Sequence, residues 1–177
     1  NVLDLGIGTG ESSRRFQLAG HTVTGLDGSE KMLEQCHKKE IAKKLIAHNL
    51  EEFPYPFEND LFDAVISNGV FHLIHPVNSV FKEIERIIRP RGIFIFTYEP
   101  AIKLTGFNKI EPGIWKTKTT SGIITYKHED KYIFQELAYS HFEILEESRF
   151  LAFKNKQNDK EYYFTAVMVK QMGNHYY

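Results

Sequence analysis

The order of apolar and polar segments predicts an α/β protein, a doubly wound and mostly parallel sheet with an antiparallel strand added near one edge. Three observations predict it. Short apolar runs alternate with helical runs from Val2 to Tyr98. The first run ends in the glycine-rich turn Gly6-Ile7-Gly8-Thr9-Gly10, and the second ends on a carboxylate, Asp27. Late in the chain, two strand-like runs are joined by a short polar stretch, which makes that pair antiparallel.

Val2–Leu5 reads as a buried strand. The chain opens without Met directly on it, so a segment upstream of Asn1 is expected. Glu11–Ala19 reads as a helix closed by Gly20, and His21–Leu26 as the second strand. Ser29 is a good N-cap for a helix over Glu30–Lys39. Lys44–Ala47 is a third short strand, and Asn49–Asp60 holds Pro54 and Pro56 and is a loop. Phe62–Ser67 is the fourth strand. In Pro76–Ile88, Val77, Val80, Phe81, Ile84, Ile87 and Ile88 fall on one helical stripe. Pro90-Arg91-Gly92 breaks that helix, and Ile93–Tyr98, apolar on both faces, is a fifth strand.

The pattern then changes. Ile114–Thr119 and Ile123–His128 alternate around Thr120-Ser121-Gly122 as a hairpin. Asp130–Phe142 is helix-like. Phe142–Phe150 and Tyr162–Val169 are the last strands, with Asn155–Lys160 as the polar turn between them. No repeat or domain boundary interrupts residues 1–177, which read as one domain.

Composition narrows the function. Lys plus Arg number 22 against 23 Asp plus Glu, a balance that argues against a nucleic-acid grip. One cysteine, Cys36, supplies neither a disulfide framework nor a Cys-rich zinc site, and a reducing cytoplasm is expected. No apolar run is long enough to span a membrane, and no His, Asp or Glu spacing suggests a metal site.

The glycine turn carries the chemistry. Glycine there lets backbone approach a ligand, and the following helix start offers free N–H groups. Asp27 lies 21 residues after Gly6. In a doubly wound sheet that places it beside the turn, where a carboxylate can accept both hydroxyls of a ribose. A dinucleotide loop would continue G-x-G-x-x-G, but Glu11 stands at the last position, where it would repel pyrophosphate. Asp4 is a second anion close by. Two anions suit a nucleoside that carries an ammonium and a sulfonium, which is S-adenosylmethionine.

These residues resemble a known family. Val2-Leu3-Asp4-Leu5-Gly6-Ile7-Gly8-Thr9-Gly10 is similar to the first motif of class I S-adenosylmethionine-dependent methyltransferases, D-x-G-x-G-x-G. Gly25-Leu26-Asp27-Gly28-Ser29-Glu30-Lys31-Met32-Leu33 resembles their G-x-D-x-S-x-x-M-L run. Phe53-Pro54-Tyr55-Pro56-Phe57, followed by Phe62-Asp63-Ala64-Val65, resembles a segment of the ubiquinone/menaquinone-type subgroup (the methyltransferase domain 11/25-like group). Arg89-Pro90-Arg91-Gly92-Ile93 resembles the turn before strand five, with Arg91 in place of its first glycine. The resemblance covers residues 1–100 in order and spacing. It implies a Rossmann-like, seven-stranded sheet in the order 3-2-1-4-5-7-6 with strand 7 antiparallel. It also implies methyl transfer to a small-molecule substrate by in-line attack on the sulfonium methyl, leaving S-adenosylhomocysteine.

The resemblance assigns roles residue by residue. Asp4 and the backbone of Gly6, Gly8 and Gly10 would hold the methionine end, and Asp27 the ribose, with Gly28 and Met32 near the adenine. Asn49 stands where relatives carry Asp to accept from the adenine amino group. The backbone of Leu50 would meet the adenine ring, and Asn68 would line the methionine part. His72, just after strand four, either takes a proton from the nucleophile or orients substrate, unless it is a packed histidine bonded to a carbonyl. Residues 1–100 would form the cofactor half, 101–131 a substrate lid, and 132–177 a closing helix and strand pair. In the lid Trp115, Tyr126 and His128 are the candidate substrate contacts, unless these rings only cover the sheet. Two other readings share the residues: a non-catalytic S-adenosylmethionine-binding regulatory module, and a nicotinamide-dependent oxidoreductase.

Overall fold

A computed structural model describes residues 1–155 and 159–173. In chain order it runs β1 (Val2–Leu5), α1 (Arg14–Leu18), β2 (Val23–Asp27), α2 (Glu30–Lys38), β3 (Lys44–Ala47) and β4 (Phe62–Ser67). A single 3-10 turn, Phe71–Leu73, leads to α3 (Val77–Ile87) and β5 (Ile88–Tyr98). Then come β6 (Asn108–Glu111), β7 (Ile114–Lys118), β8 (Ile124–His128), α4 (Asp130–Tyr139), β9 (Phe142–Lys154) and β10 (Glu161–Gln171).

Seven strands form one sheet in the order β3-β2-β1-β4-β5-β10-β9. The first five are mutually parallel, and β10 is antiparallel to both β5 and β9. Counting only these strands, this is the expected order 3-2-1-4-5-7-6. The sheet is central because its middle is apolar on both faces: all four residues of β1 are buried. The α3 stripe of Val77, Val80, Phe81, Ile84 and Ile87 is wholly buried against one face. Each such side chain contributes roughly 1.5–3 kcal/mol by leaving water. Phe71 joins it, stacking on Phe81 at 5.3 Å and meeting Phe96 at 4.8 Å. A smaller cluster of Ile7, Val23, Leu33, Cys36 and Ile41 seats α2.

The structure differs from the sequence reading in three places. The first helix is only Arg14–Leu18. Gly10 sits at φ +86°, and the Ser13 hydroxyl bonds Asp4, so Glu11–Ser13 is drawn into a turn instead. Pro90-Arg91-Gly92 does not separate helix from strand: β5 starts at Ile88 and absorbs them, with Arg91 at φ +68° and a register shift between Phe62 and Ala64 on β4. Third, the expected hairpin of β7 and β8 gains an outer strand, β6, whose four residues are all exposed and show no apolar alternation. The turn at Asn155–Lys160 lies partly outside the described residues; Asn155 N–H donates to the Lys160 carbonyl at 2.8 Å.

The three-stranded sheet is sewn to the end of β5. His128 N–H donates to the Glu99 carbonyl at 3.0 Å, and Ala101 N–H donates to the His128 carbonyl at 2.9 Å. The site described next therefore lies between the carboxyl edge of the large sheet and the small one. No helix among the described residues is long and apolar enough to cross a membrane.

Candidate active site

The glycine turn and the end of β2 are bonded to each other. Gly6 N–H donates to the Leu26 carbonyl at 2.7 Å, and Gly8 N–H donates to Asp27 Oδ2 at 2.8 Å. Ser29 N–H donates to Asp27 Oδ1 at 2.8 Å, while the Ser29 hydroxyl caps α2 by accepting from Met32 N–H at 3.4 Å. Asp27 therefore braces the helix start as well as facing the cleft. Each carboxylate oxygen keeps a further lone pair for a ligand hydroxyl. Gly6 has φ +72°, and a Cβ there would stand 2.3 Å from Val70 Cγ2. Gly8 differs: no atom lies within 4 Å of a Cβ built on it, so the space above its backbone is open to a ligand.

That space is a cleft of about 460 Å³, within the range of small-ligand sites. Gly6, Gly8, Asp27, Gly28, Met32, Asn49 and Leu50 line it. Met32, Leu50, Leu73 and Ile74 supply apolar surface. Asn49 Oδ1 accepts from Glu51 N–H at 3.1 Å, which folds the loop over this side. A carboxylate for the ribose, open backbone at Gly8 and an apolar slot are the parts that a nucleoside cofactor requires.

Three residues expected at the cofactor do not line the cleft. Asp4 is 1% exposed, behind the turn, with Oδ2 accepting from the Ser13 hydroxyl at 2.7 Å. Burial pushes its carboxyl up to about 7, against the Ser13 hydrogen bond and with a smaller push from Asp27. Gly10 is packed, since a Cβ would meet Cys36 Sγ at 2.8 Å. Asn68 is a brace: Nδ2 donates to the Ser12 hydroxyl at 3.1 Å and Oδ1 accepts from the Thr97 hydroxyl at 3.0 Å.

Gly69 borders both this cleft and a second cavity of about 750 Å³. His72 lines the second cavity, half-buried, with its ring edge-on to Phe164 at 5.6 Å. Among the described residues its Nδ1 has no hydrogen-bond partner, so no carbonyl there ties that nitrogen down. Burial lowers its pKa and favours the neutral imidazole. Of the lid aromatics, Phe107 lines this cavity, but Trp115, Tyr126 and His128 do not. Trp115 lies under Lys109 Nζ at 5.4 Å, and Tyr126 packs on His75 at 5.1 Å. His128 is fully buried, stacks on Tyr132 at 5.7 Å, and is pushed down to about 4 by burial and by His75 and His72. Tyr126 and His128 tie the small sheet to the core, while Trp115 packs within the small sheet.

The sequence reading missed Glu51, Val70, Leu73 and Ile74 in the cleft, and Glu99, Phe153, Tyr162 and Phe164 in the cavity. Glu99 had one available signal. It follows strand five directly, at the carboxyl edge where doubly wound sheets bind ligands.

The sheet order, the glycine turn on β1 and the carboxylate on β2 define the fold of the class I S-adenosylmethionine-dependent methyltransferases. A family described as a methyltransferase domain matches residues 3–96, more than half of the chain, and the chain belongs to it. A malonyl-[acyl-carrier protein] O-methyltransferase of Erwinia pyrifoliae is 34% identical over 96 residues, covering 54% of this chain and 36% of that protein. The chain thus spans less than half the length of the curated relatives it matches. An S-adenosylmethionine-dependent methyltransferase from Mesorhizobium loti superposes with a TM-score of 0.80 at 22% identity, over 96% of this chain and 90% of that one. The 1,6-didemethyltoxoflavin-N1-methyltransferase of Burkholderia thailandensis, solved with S-adenosylhomocysteine, gives 0.72 at 18% identity, over 97% and 71%.

Proposed function

We propose that this chain transfers the methyl group of S-adenosylmethionine to a small-molecule acceptor. One observation carries the reading: the cleft at Gly8 and Asp27 and the cavity at His72 meet at Gly69, so a nucleoside in one abuts an acceptor in the other. S-adenosylmethionine, when bound, supplies an electrophilic methyl on a sulfonium that leaves without protonation. The chain's residues have to bind, align and keep water out. Asp27 takes the ribose hydroxyls, and the slot of Met32, Leu50, Leu73 and Ile74 takes the adenine. Asp4, behind the turn, braces it through the Ser13 hydroxyl rather than touching the cofactor. Asn68 holds the loop after β4 against β5.

His72 takes the proton from the acceptor nucleophile, and its neutral ring at pH 7 suits that role. Residues 101–131 serve as the lid. Their attachment to β5 through His128 keeps the small sheet over the cavity. The buried lone thiol of Cys36 suits a cytoplasmic setting. Calorimetry tests the reading: S-adenosylmethionine and S-adenosylhomocysteine should bind, and NAD should not at the same concentration. A preference for NAD would overturn it.

A further inference from the structure

We propose that Glu99 selects the methyl acceptor, its carboxylate receiving a hydrogen bond from an N–H or O–H group on a planar molecule in the larger cavity. The inference rests on reading that cavity as the acceptor site. Glu99 follows β5 directly, lines the cavity and is only 6% exposed. A carboxylate buried this far needs charge and donors around it. Its nearest cation is Lys127 of β8, itself 5% exposed, with Nζ 3.3 Å from Oε1, and the exposed Lys160 adds a weaker attraction. That is long for a charge-assisted bond, which closes to about 2.7–2.9 Å. The Lys127 ammonium is held elsewhere: it donates to the Ile102 carbonyl at 2.7 Å and reaches the Lys103 carbonyl at 3.4 Å. Among the described residues no second donor reaches the Glu99 side chain. An ionised carboxylate offers about four acceptor directions, so most of its capacity remains for a ligand.

Its position is fixed by both sheets. The Glu99 carbonyl accepts from His128 N–H, and the next residue, Pro100, forms a bridge with His128. A rigid, under-satisfied buried acceptor rejects an analogue lacking the matching donor, because binding it leaves the carboxylate desolvated and unpaired. Phe107, Phe153 and Phe164 line the same cavity and suit a flat ring. Lys118 and Lys160 also line it, but both are exposed. Water and salt screen them, so the buried carboxylate sets the preference.

The test uses protein saturated with S-adenosylhomocysteine and three probes: 2-aminobenzimidazole, 1,2-dimethylbenzimidazole, which lacks donors, and 2-naphthoate, which is planar and anionic. The aminated probe should bind at least about 10-fold tighter than the dimethylated one, the lower bound for a hydrogen bond to a charged group. E99Q should shrink that gap by about 10-fold, and E99D should restore part of it, with S-adenosylhomocysteine affinity unchanged in both. Equal or undetectable binding of the two heterocycles to the wild type, a gap unaltered in E99Q, or tightest binding of 2-naphthoate would each overturn the proposal. The wild-type comparison stands by itself if E99Q fails to fold. Failure of the wild type to bind S-adenosylhomocysteine would instead sink the cofactor reading on which this inference rests.

Discussion

Gly8 donates its backbone N–H to the Asp27 carboxylate across 2.8 Å, so the turn after β1 and the end of β2 form one unit before any ligand arrives. Asp27 also holds Ser29 N–H. Asp27→Ala should therefore do two things. It removes a charged acceptor from the ribose hydroxyls, a loss of roughly 1.5–3 kcal/mol, so S-adenosylhomocysteine affinity should fall by about 10- to 150-fold. It also frees two protein N–H groups and should lower the melting temperature. Calorimetry and a thermal melt separate the effects, and unchanged affinity in a folded variant would put the ribose elsewhere.

Burial lowers the His72 pKa, so its ring stays neutral to a lower pH than a free histidine. As a base it works only unprotonated. The rate of methyl transfer should hold through neutral pH and fall only below about 6.5, the ordinary histidine value. His72→Ala should abolish that low-pH limb and lower kcat, leaving S-adenosylhomocysteine affinity intact. A pH profile of kcat in both proteins checks this, and an identical limb in the variant would assign the proton to another group.

Asp4 makes stability depend on pH in an unusual direction. Burial lifts its carboxyl to about 7, whereas an unfolded Asp titrates near about 4. Between those values the folded protein holds a proton that the unfolded chain has released. The contribution of this group is thus greatest at low pH and declines as pH rises toward 7, by up to about 4 kcal/mol. Asp4→Asn should flatten the decline. Ser13→Ala should steepen it, because it removes the bond that favours the carboxylate. Urea midpoints at several pH values between about 4.5 and 7.5 would show the slopes, and equal slopes in all three proteins would refute the assignment.

Much of the fold is legible in the sequence because its signals are local. The α3 stripe, the Ser29 cap and the spacing from Gly6 to Asp27 each follow from nearest-neighbour chemistry, and the structure reproduces them. What was hidden depends on partners far along the chain. β6 is a strand only because β7 pairs with it. Trp115, Tyr126 and His128 look like a substrate wall in sequence, yet their rings pack on Lys109, His75 and Tyr132. Glu99 and Lys127 stand 28 positions apart, and neither residue type announces a buried pair.

That pair yields the last prediction. Lys127 neutralises Glu99 and ties down the Ile102 and Lys103 carbonyls, so it links the lid to the end of β5 through three acceptors. Lys127→Met keeps the bulk and removes the charge. It leaves Glu99 buried without its nearest cation, and stranding one partner of a buried pair destabilises by roughly 3–5 kcal/mol. Adding Glu99→Gln to Lys127→Met removes the stranded charge and should recover part of the loss, giving a coupling well above the roughly 0.5 kcal/mol seen for independent sites. Denaturant unfolding of the two single variants and the double variant measures it, and simple additivity would mean the pair is electrostatically idle. The lid should loosen first, because the Ala101 and His128 amides are the stitches next to Lys127. In Lys127→Met their hydrogen exchange should accelerate more than that of the β4 amides, whose strand lies inside the sheet between β1 and β5.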